Sequence, residues 1–278
     1  MQRTNAGTIE MILRPIYAVV EREVVKMFRQ RTRLISAMVR PLIWLFVIGA
    51  GLGAVVARSG QGDYQRFLAP GVLGMTILFG AMLAALTMVY DKESGVMRML
   101  IIAPVAHRWI VVAKTLAAAL AGLIQALLLL LVLGVLGFLS WKMNYPLLLT
   151  GILVTSLSCA ALGILVAAFT RTLDNFAAIM NFVIFPVFFL SGALYPIANL
   201  PLALKTAALL NPFTYCVDLL KHAMLAPMGS SSASDLLPAV DLLASLGFTL
   251  LAVIAASWRF SREEVYAPLI RVLAGKRD

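Results

Sequence analysis

Charged side chains are scarce in this chain. They make up 13% of its 278 residues, whereas hydrophobic residues make up 62% and the mean hydropathy is +0.94. A soluble domain is nearer half apolar and a quarter charged. Apolar runs of about 18 residues or more recur along the sequence, and such runs indicate transmembrane helices. The composition therefore excludes an ordinary soluble domain and predicts an all-α polytopic membrane protein.

Groups that could carry out catalysis are also few. Gly275-Lys276 lacks the upstream glycine and the following Ser or Thr of a phosphate-binding P-loop. His107 and His222 are isolated in the sequence, and Cys159 and Cys216 are not in a metal-ligand spacing. The sequence neither requires nor excludes a disulfide between these cysteines. We expect no catalytic residue, no metal site and no ATP or Mg²⁺ bound by this chain itself.

Acidic side chains are nearly absent from the apolar runs, which argues against a proton-relay transporter. The net charge of +10 is compatible with nucleic-acid binding, but its distribution is not. Basic residues lie at the ends of the apolar runs, as in cytoplasmic loops. We therefore expect contact with membrane lipid and no nucleic-acid partner. No small-residue cleavage site follows the first apolar run, so we expect no cleavable signal peptide.

Six apolar segments are predicted to span the membrane. The third is longer than a bilayer requires and is expected to tilt or to project into the cytoplasm near Lys114. Together the six segments form a bundle over residues 34–258, within one domain that covers 1–278. The predicted spans are 34–57, 67–89, 109–139, 146–169, 176–194 and 236–258.

Basic residues also predict the two ends of the chain and its orientation. Residues 1–33 carry seven basic groups, and after Pro15 the apolar and basic residues recur on different helical faces. This pattern predicts a helix that lies on the cytoplasmic membrane surface. Residues 259–278 form a basic tail. Sixteen basic residues fall in predicted cytoplasmic segments and five in external ones, so both termini are expected inside.

A charged island at residues 90–108 separates the second and third spans. Pro104 would end a helix that begins at Asp91, so we predict a short amphipathic helix from about Asp91 to Ile102 that lies across the membrane face. Met97 and Leu100 would form an apolar patch between Glu93 and Arg98. An ordinary solvated loop is the alternative interpretation.

The island resembles the first cytoplasmic loop of ABC-2-type transporter permeases. The pattern is carried by Glu93, Gly95, Arg98, Leu100, Pro104 and Arg108. In that family this loop is the coupling helix, which docks into a groove on a separate ATPase subunit. The resemblance implies that the following residues bind such a partner: Asp91, Glu93, Gly95, Met97, Arg98, Leu100, Pro104 and Arg108.

The same resemblance extends to Ser191–Ile197 and the segment after it. Residues 199–228 are too interrupted by proline to span and too apolar to be a free loop. In the family this region forms re-entrant helices on the outer side. We expect a short helix at Val217–Ala226 with Asp218 and Lys221 on its wetter side, followed by a flexible external link at 229–234.

The resemblance thus implies a type V ABC exporter-like fold, with an N-terminal elbow helix, a cytoplasmic coupling helix and external re-entrant helices. It implies a homodimer in the cell (inner) membrane, with ATP and Mg²⁺ bound by the partner subunit. The similarity is greatest to permeases of multidrug or lipo-oligosaccharide export.

Two functions are compatible with these features. The first is the permease subunit of an ATP-driven exporter that moves an amphipathic or lipid-linked substrate outward. The second is an ATPase-independent secondary transporter or a membrane scaffold, which an intramembrane ionisable pair would favour; no such pair is evident in the sequence. Polar and aromatic residues of the fifth span either line a substrate path or pack between helices: Asn181, Phe182, Phe185, Phe188 and Phe189.

Overall fold

The computed structural model describes residues 3–29, 38–58, 64–97, 107–225 and 234–274, and every regular element in these ranges is helical. This confirms the all-α class. A π-helical stretch, Trp44–Ile48, precedes α2, and a 3₁₀ turn, Ile197–Asn199, precedes α7. The α-helices are α1 (Arg3–Arg29), α2 (Gly49–Arg58), α3 (Tyr64–Glu93), α4 (His107–Val135), α5 (Tyr145–Phe169), α6 (Leu173–Phe189), α7 (Leu202–Leu210), α8 (Pro212–Met224) and α9 (Pro238–Ala274).

Four helices are long and apolar enough to cross a membrane, and they match the second, third, fourth and sixth predicted spans. Their spanning segments are Tyr64–Glu93, Arg108–Val135, Tyr145–Phe169 and Pro238–Arg262. The other two predicted spans coincide with shorter apolar helices, Met38–Gly53 and Leu173–Phe189. The latter has 17 residues, which reach about 25 Å, less than the ~30 Å hydrocarbon core. A count of six crossings therefore stays a prediction.

Helix α3 lies at the centre of the bundle and packs against α4, α5, α6 and α8. Small residues permit the closest approaches. A Cβ atom at Gly71 would lie 2.6 Å from the carbonyl oxygen of Ala193, and one at Gly163 of α5 would lie 2.8 Å from the Cβ atom of Ala85. Helices pack this closely in membranes where one side chain is absent. The small residues thus bring neighbouring helices into direct contact with α3.

Helix α8 begins at Pro212, five residues before the predicted start. Asn211 caps it: its Oδ1 accepts from the backbone N–H of Phe213 at 3.1 Å, and its Nδ2 donates to the carbonyl of Val187 at 2.7 Å. The helix packs between α5 and α9. Asp218 and Lys221 are each 1% exposed, so their predicted position on a wetter side is wrong. Burial is tolerated because both side chains have polar partners.

Candidate functional site

The charged island does not begin with a separate helix. Asp91–Glu93 form the last turn of α3, and the predicted helix start at Asp91 is therefore wrong. Gly95 ends the turn with φ +78°, a left-handed conformation that commonly terminates helices, and the backbone is helical again at Val96–Met97. Three of the predicted docking residues lie outside the described residues: Arg98, Leu100 and Pro104.

Asp91 belongs to a ring of four alternating charges that joins α1, α3 and α4. Its Oδ2 atom accepts from Lys114 Nζ at 2.5 Å and from Arg22 Nη2 at 2.6 Å. Glu23 Oε1 closes the ring by accepting from the same Lys114 atom at 2.7 Å and from Arg22 Nη2 at 2.8 Å. We call Arg22, Glu23, Asp91 and Lys114 the four-charge ring; its two acids balance its two bases.

The ring is stable because each buried charge faces two opposite ones. The side chains of Asp91 and Lys114 are each 1% exposed. Burial alone would raise the pKa of Glu23, but the charges and hydrogen bonds of Lys114 and Arg22 outweigh it and hold that pKa below the ordinary value. Burial opposes the charge of Arg22 as well, and its bonds to Glu23 and Asp91 still raise the pKa of this guanidinium. Both groups therefore stay charged at neutral pH.

Two predicted docking residues turn inward. Asp91 is enclosed in the four-charge ring, and Met97 is 2% exposed. Met97 packs in an apolar cluster with Ile110, Phe176 and Phe260. The prediction that these two side chains present a surface to a partner is corrected accordingly, because their contacts lie within the chain.

Lys92 and Glu93 hold the turn between α5 and α6. Lys92 Nζ donates to three carbonyl oxygens at the end of α5, those of Ala167, Ala168 and Thr170, at 3.0, 3.2 and 3.4 Å. Glu93 Oε2 accepts from the backbone N–H of Leu173 at 2.9 Å, at the start of α6. A cation at a helix C-terminus and an anion at an N-terminus both match the helix dipoles. We call these two residues the Lys92–Glu93 clamp.

The sequence shows both charges of the clamp but not their target. Thr172 caps α6 by accepting from the N–H of Asn175 at 3.4 Å. This cap is predictable from the local pattern Thr-Leu-Asp-Asn that follows the preceding span. That Lys92 reaches this turn depends on the register of α3 against α5, which lies about 75 residues further along the chain. No local pattern carries that information.

Arg108 and Gly95 remain accessible beside the loop. Arg108 is exposed at the start of α4, with its guanidinium 5.6 Å from the ring centre of Trp109. This contact is of the cation–π type and orients the side chain beside the loop. Of the predicted docking residues that the structure describes, Glu93, Gly95 and Arg108 keep exposed or half-buried positions.

The candidate path residues of α6 divide into two groups. Phe182, Phe185 and Phe189 are 79%, 44% and 38% exposed, and Asn181 is exposed as well. Phe188 is 1% exposed and meets the ring of Trp44 edge-on at 5.7 Å. Phe188 is therefore a core residue, and of the two interpretations given for these residues it fits packing between helices. The other four form one exposed face of α6.

A cavity of about 80 Å³ lies between α1, α3 and α4. Its lining includes Glu23, Lys26, Thr87 and Gln125, and Gln125 is 5% exposed. Sites for drug-sized molecules have about 300–1,000 Å³. This cavity is too small to hold a transported amphiphile within one chain.

A second polar cluster lies where α8 meets α9. His222 Nε2 is 3.7 Å from Asp218 Oδ2 and 3.7 Å from Asp241 Oδ2, while Lys221 Nζ is 3.8 Å from Asp235 Oδ2. We call these five residues the α8–α9 polar cluster. The interpretation of His222 as isolated is wrong, because the fold brings Asp241 to it from the next helix. Cys159 and Cys216 are both free and buried.

Burial changes the acidity of the groups that α8 contributes to this cluster. Burial raises the pKa of Asp218, although the backbone N–H groups of Asp235 and Leu236 partly offset it. Burial also lowers the pKa of Lys221, against the attraction of Asp235 and Asp218. Both shifts show that charge is costly here.

The helices and the two charge assemblies at the end of α3 define a helical membrane protein. Comparison with known proteins gives its class. A family model described as ABC-2 type transporter matches residues 14–225. The chain belongs to this ABC-2 type transporter family and is a multi-pass membrane transport permease. The matched region contains the four-charge ring, the Lys92–Glu93 clamp and the α8 side of the polar cluster.

Individual relatives agree with this family. The chain is 31% identical over 203 residues to Nodulation protein J of Rhizobium leguminosarum bv. trifolii, which covers 69% of this chain and 74% of the relative. It is 26% identical over 226 residues to the putative transport permease ycf38 of Cyanophora paradoxa, covering 78% and 76%. The ycf38 protein of Porphyra purpurea is 26% identical over 218 residues, covering 76% and 74%.

Proposed function

We propose that this chain is the membrane subunit of an ATP-driven exporter, and that a separate ATPase subunit acts on the loop between α3 and α4. Membership of the ABC-2 permease family supports the transport role. The observation that carries the proposal is the position of two charge assemblies at the end of α3. The four-charge ring and the Lys92–Glu93 clamp occupy the three consecutive residues Asp91–Glu93.

These contacts make the end of α3 a mechanical junction. Asp91 holds α1 and α4, and the Lys92–Glu93 clamp holds the turn between α5 and α6. A force on the loop that follows Gly95 must move these helices together or separate buried ion pairs. Removing one partner of such a pair typically costs about 3–5 kcal/mol. Concerted movement is therefore the less costly response.

The docking surface in this proposal is the loop from Ser94 to Arg108. Arg108 borders it and is exposed, and Arg98, Leu100 and Pro104 are proposed to contact the ATPase. Glu93 was predicted to contact the ATPase, and in this proposal it has a positioning role instead. Its carboxylate is bonded to the N–H of Leu173, so it positions the loop relative to α6.

Topology and substrate complete the proposal. Both termini lie in the cytoplasm and the protein resides in the inner membrane, as the sixteen-to-five distribution of basic residues favours. Two copies form the path, and the substrate is amphipathic or lipid-linked. The exposed face of α6 supports such a substrate because Asn181 lies beside Phe182, Phe185 and Phe189 on it.

The secondary transporter is the competing function, and one observation bears on it. Asp91 and Lys114 form a buried ionisable pair between two spanning helices, of the kind that favours proton or ion relays. The pair lies two residues from the end of α3 and is enclosed in the four-charge ring. Its place beside the loop and its balanced charge favour a structural role.

The coupling experiment compares Glu93→Ala and Arg98→Ala with the wild type in reconstituted vesicles, together with the ATPase that co-purifies with the chain. We expect both variants to insert normally, and transport per ATP hydrolysed to fall at least tenfold. Lys142→Ala is the matched control, because Lys142 is exposed at the other end of the bundle. Normal ATPase binding with normal coupled transport in both variants would contradict the proposal, and transport without ATP would favour the secondary transporter.

A further inference from the structure

The α8–α9 polar cluster contains more negative than positive charge in a place that water hardly reaches. Asp218 and Asp241 are 1% and 0% exposed, and the side chain of Asp235 is 8% exposed. Lys221 supplies one positive charge. With His222 neutral, the five described residues of the cluster carry a net charge of −2. Buried charge without compensation is strongly unfavourable, so the excess requires a partner.

Two of the three carboxylates are already bonded. Asp235 accepts from the backbone N–H groups of Ile197 and Ala198 at 3.1 and 3.0 Å, and it faces Lys221. Asp218 accepts from the backbone N–H groups of Asp235 and Leu236, with its Oδ2 atom 2.8 Å from the latter nitrogen. These bonds explain why both are tolerated in the interior.

Asp241 is the exception. It lies in the first turn of α9, and neither of its carboxylate oxygens has a hydrogen-bond partner among the described residues. Its nearest opposite charge is conditional, because His222 carries a charge only when it is protonated. A fully buried carboxylate with both oxygens unbonded and directed towards another carboxylate and an imidazole has the features of a cation ligand.

The spacing of the ligand atoms fits one small ion. His222 Nε2 lies 3.7 Å from an oxygen of Asp218 and 3.7 Å from an oxygen of Asp241, and the ligand atoms of all three lie within 4.8 Å of one another. Ligands at about 2.0–2.1 Å from a tetrahedral Zn²⁺ are roughly 3.4 Å apart. The two distances from His222 to the carboxylates need to close by only a few tenths of an ångström.

We propose that Asp218, His222 and Asp241 form a binding site for a divalent first-row cation, best matched by Zn²⁺, which ties α8 to the first turn of α9. Asp218 and His222 are four residues apart on one face of α8, and Asp241 approaches from α9. The double positive charge cancels the net charge of −2. The site goes beyond the proposed export function and does not depend on it.

The donor set selects the class of ion. Imidazole suits Zn²⁺ and its neighbours, whereas Ca²⁺ and Mg²⁺ prefer oxygen ligands alone. His222 Nε2 is 2.7 Å from the carbonyl oxygen of Leu236, which accepts the ring proton when no metal is bound. Binding through Nε2 requires the tautomer with the ring proton on Nδ1, and the Leu236 carbonyl or a water would complete the coordination. Lys221 is held away by Asp235 and by the ring of Phe67, whose centre is 4.9 Å from Nζ.

Protons are the competing occupants. One proton on Asp241 and one on His222 would also neutralise the cluster. A protonated Asp241 would find Asp218 as the acceptor for its O–H, but that proton would bond only one of the two Asp241 oxygens. A single divalent cation contacts Asp218, His222 and Asp241 at once and neutralises the cluster, which is why we favour it.

The test measures metal content and thermal stability of the full-length permease in lipid nanodiscs. After incubation with Zn²⁺ and removal of free metal, we expect about one Zn²⁺ per chain and a melting temperature higher than in EDTA. Mn²⁺ should bind at least tenfold more weakly than Zn²⁺, and Ca²⁺ should give no shift. Absence of retained Zn²⁺ and of any metal-dependent shift in the wild type would overturn the proposal in favour of protons.

Paired variants locate the site. Asp241→Asn and His222→Gln should each weaken Zn²⁺ binding at least 100-fold. The matched controls are His107→Gln, which removes the other histidine of the chain, and Asp174→Asn, an exposed acid in the first turn of α6. Both controls should retain one Zn²⁺ with unchanged affinity. Equal loss in a control, or unchanged binding in Asp241→Asn, would overturn the assignment. A variant that fails to fold leaves the wild-type metal measurement as the deciding result.

Discussion

The four-charge ring and the α8–α9 polar cluster bury similar charged side chains, but the charges are balanced in the ring and unbalanced in the cluster. In the ring, each of four residues contacts two opposite charges, and two acids balance two bases. In the cluster, three acids face one lysine and one histidine, and Asp241 has no hydrogen bond among the described residues. The comparison shows that burial alone says little about the role of a charge. The balance of opposite charges around it distinguishes a structural joint from a candidate ligand site.

The largest effect should follow from opening the ring. Among the described residues, Lys114→Met leaves Asp91 facing Arg22, and leaves Glu23 facing Arg22 and, at 4.0 Å, the more exposed Lys26. Removing one partner of a buried pair costs about 3–5 kcal/mol, so we expect a loss of that size in the free energy of unfolding, measured by denaturant titration in detergent.

A double variant sharpens this result. Lys114→Met combined with Asp91→Leu removes one acid and one base together, and the Arg22–Glu23 pair remains. Since replacing a whole buried pair by apolar residues is often neutral, most of the lost stability should return. Lys142→Met, at an exposed position, should change the free energy by less than about 0.5 kcal/mol. A Lys114→Met variant as stable as that control would show that the ring is not a joint.

Removing a charge from the α8–α9 polar cluster should raise stability in the absence of metal, whereas removing one from the ring lowers it. In EDTA, Asp241→Asn removes an unbonded buried charge, and we expect the variant to be more stable than the wild type by about 1–3 kcal/mol. With saturating Zn²⁺ the order should reverse, because only the wild type gains the metal. Thermal unfolding of both proteins, in EDTA and in Zn²⁺, measures this reversal in the order of stability. A loss of stability in EDTA comparable to that of Lys114→Met would mean that Asp241 is already paired.

How far the sequence predicted these regions depends on the distance between contacting residues. Long apolar runs predicted six spans, and four of these match helices that are long and apolar enough to cross a membrane, since hydrophobicity and length are local properties. The loop pattern around Glu93 and Gly95 led to the correct family. The inward orientation of Asp91 was missed, because its partners Arg22 and Lys114 lie 69 and 23 residues away and only helix packing brings them together.

The same reason explains the error on α8. Asp218 and Lys221 have the spacing of a polar stripe, and a single amphipathic helix would turn that stripe to water. The fold instead covers it with residues 234–241, which supply two further carboxylates. Phe188 is a similar case, because its neighbours Phe185 and Phe189 are exposed whereas Phe188 packs in the core, with its ring against Trp44 of the distant π-helical stretch.

The smallest effect should come from pH, because a pH change alters the charge of single carboxyl groups, and the sign of the effect differs between the two regions. Glu23 has a folded-state pKa below its ordinary value of 4.5, so its contribution to stability is present above that value and is lost as the pH falls through the folded pKa. Asp218 has a folded-state pKa above its ordinary 3.8. Its contribution is present below 3.8 and is lost as the pH rises through the folded pKa.

Single variants isolate these two slopes. The stability difference between wild type and Glu23→Gln should shrink as the pH falls below about 4.5, because the ring then loses the charge that the variant already lacks. The free-energy penalty for keeping Asp218 ionised should grow as the pH rises from about 4. In EDTA the stability of Asp218→Asn should therefore increase relative to that of the wild type as the pH rises. Denaturant titrations at several pH values measure both differences. Slopes of the same sign would mean that the two regions treat buried carboxylates alike, and the distinction between a closed joint and an open site would fail.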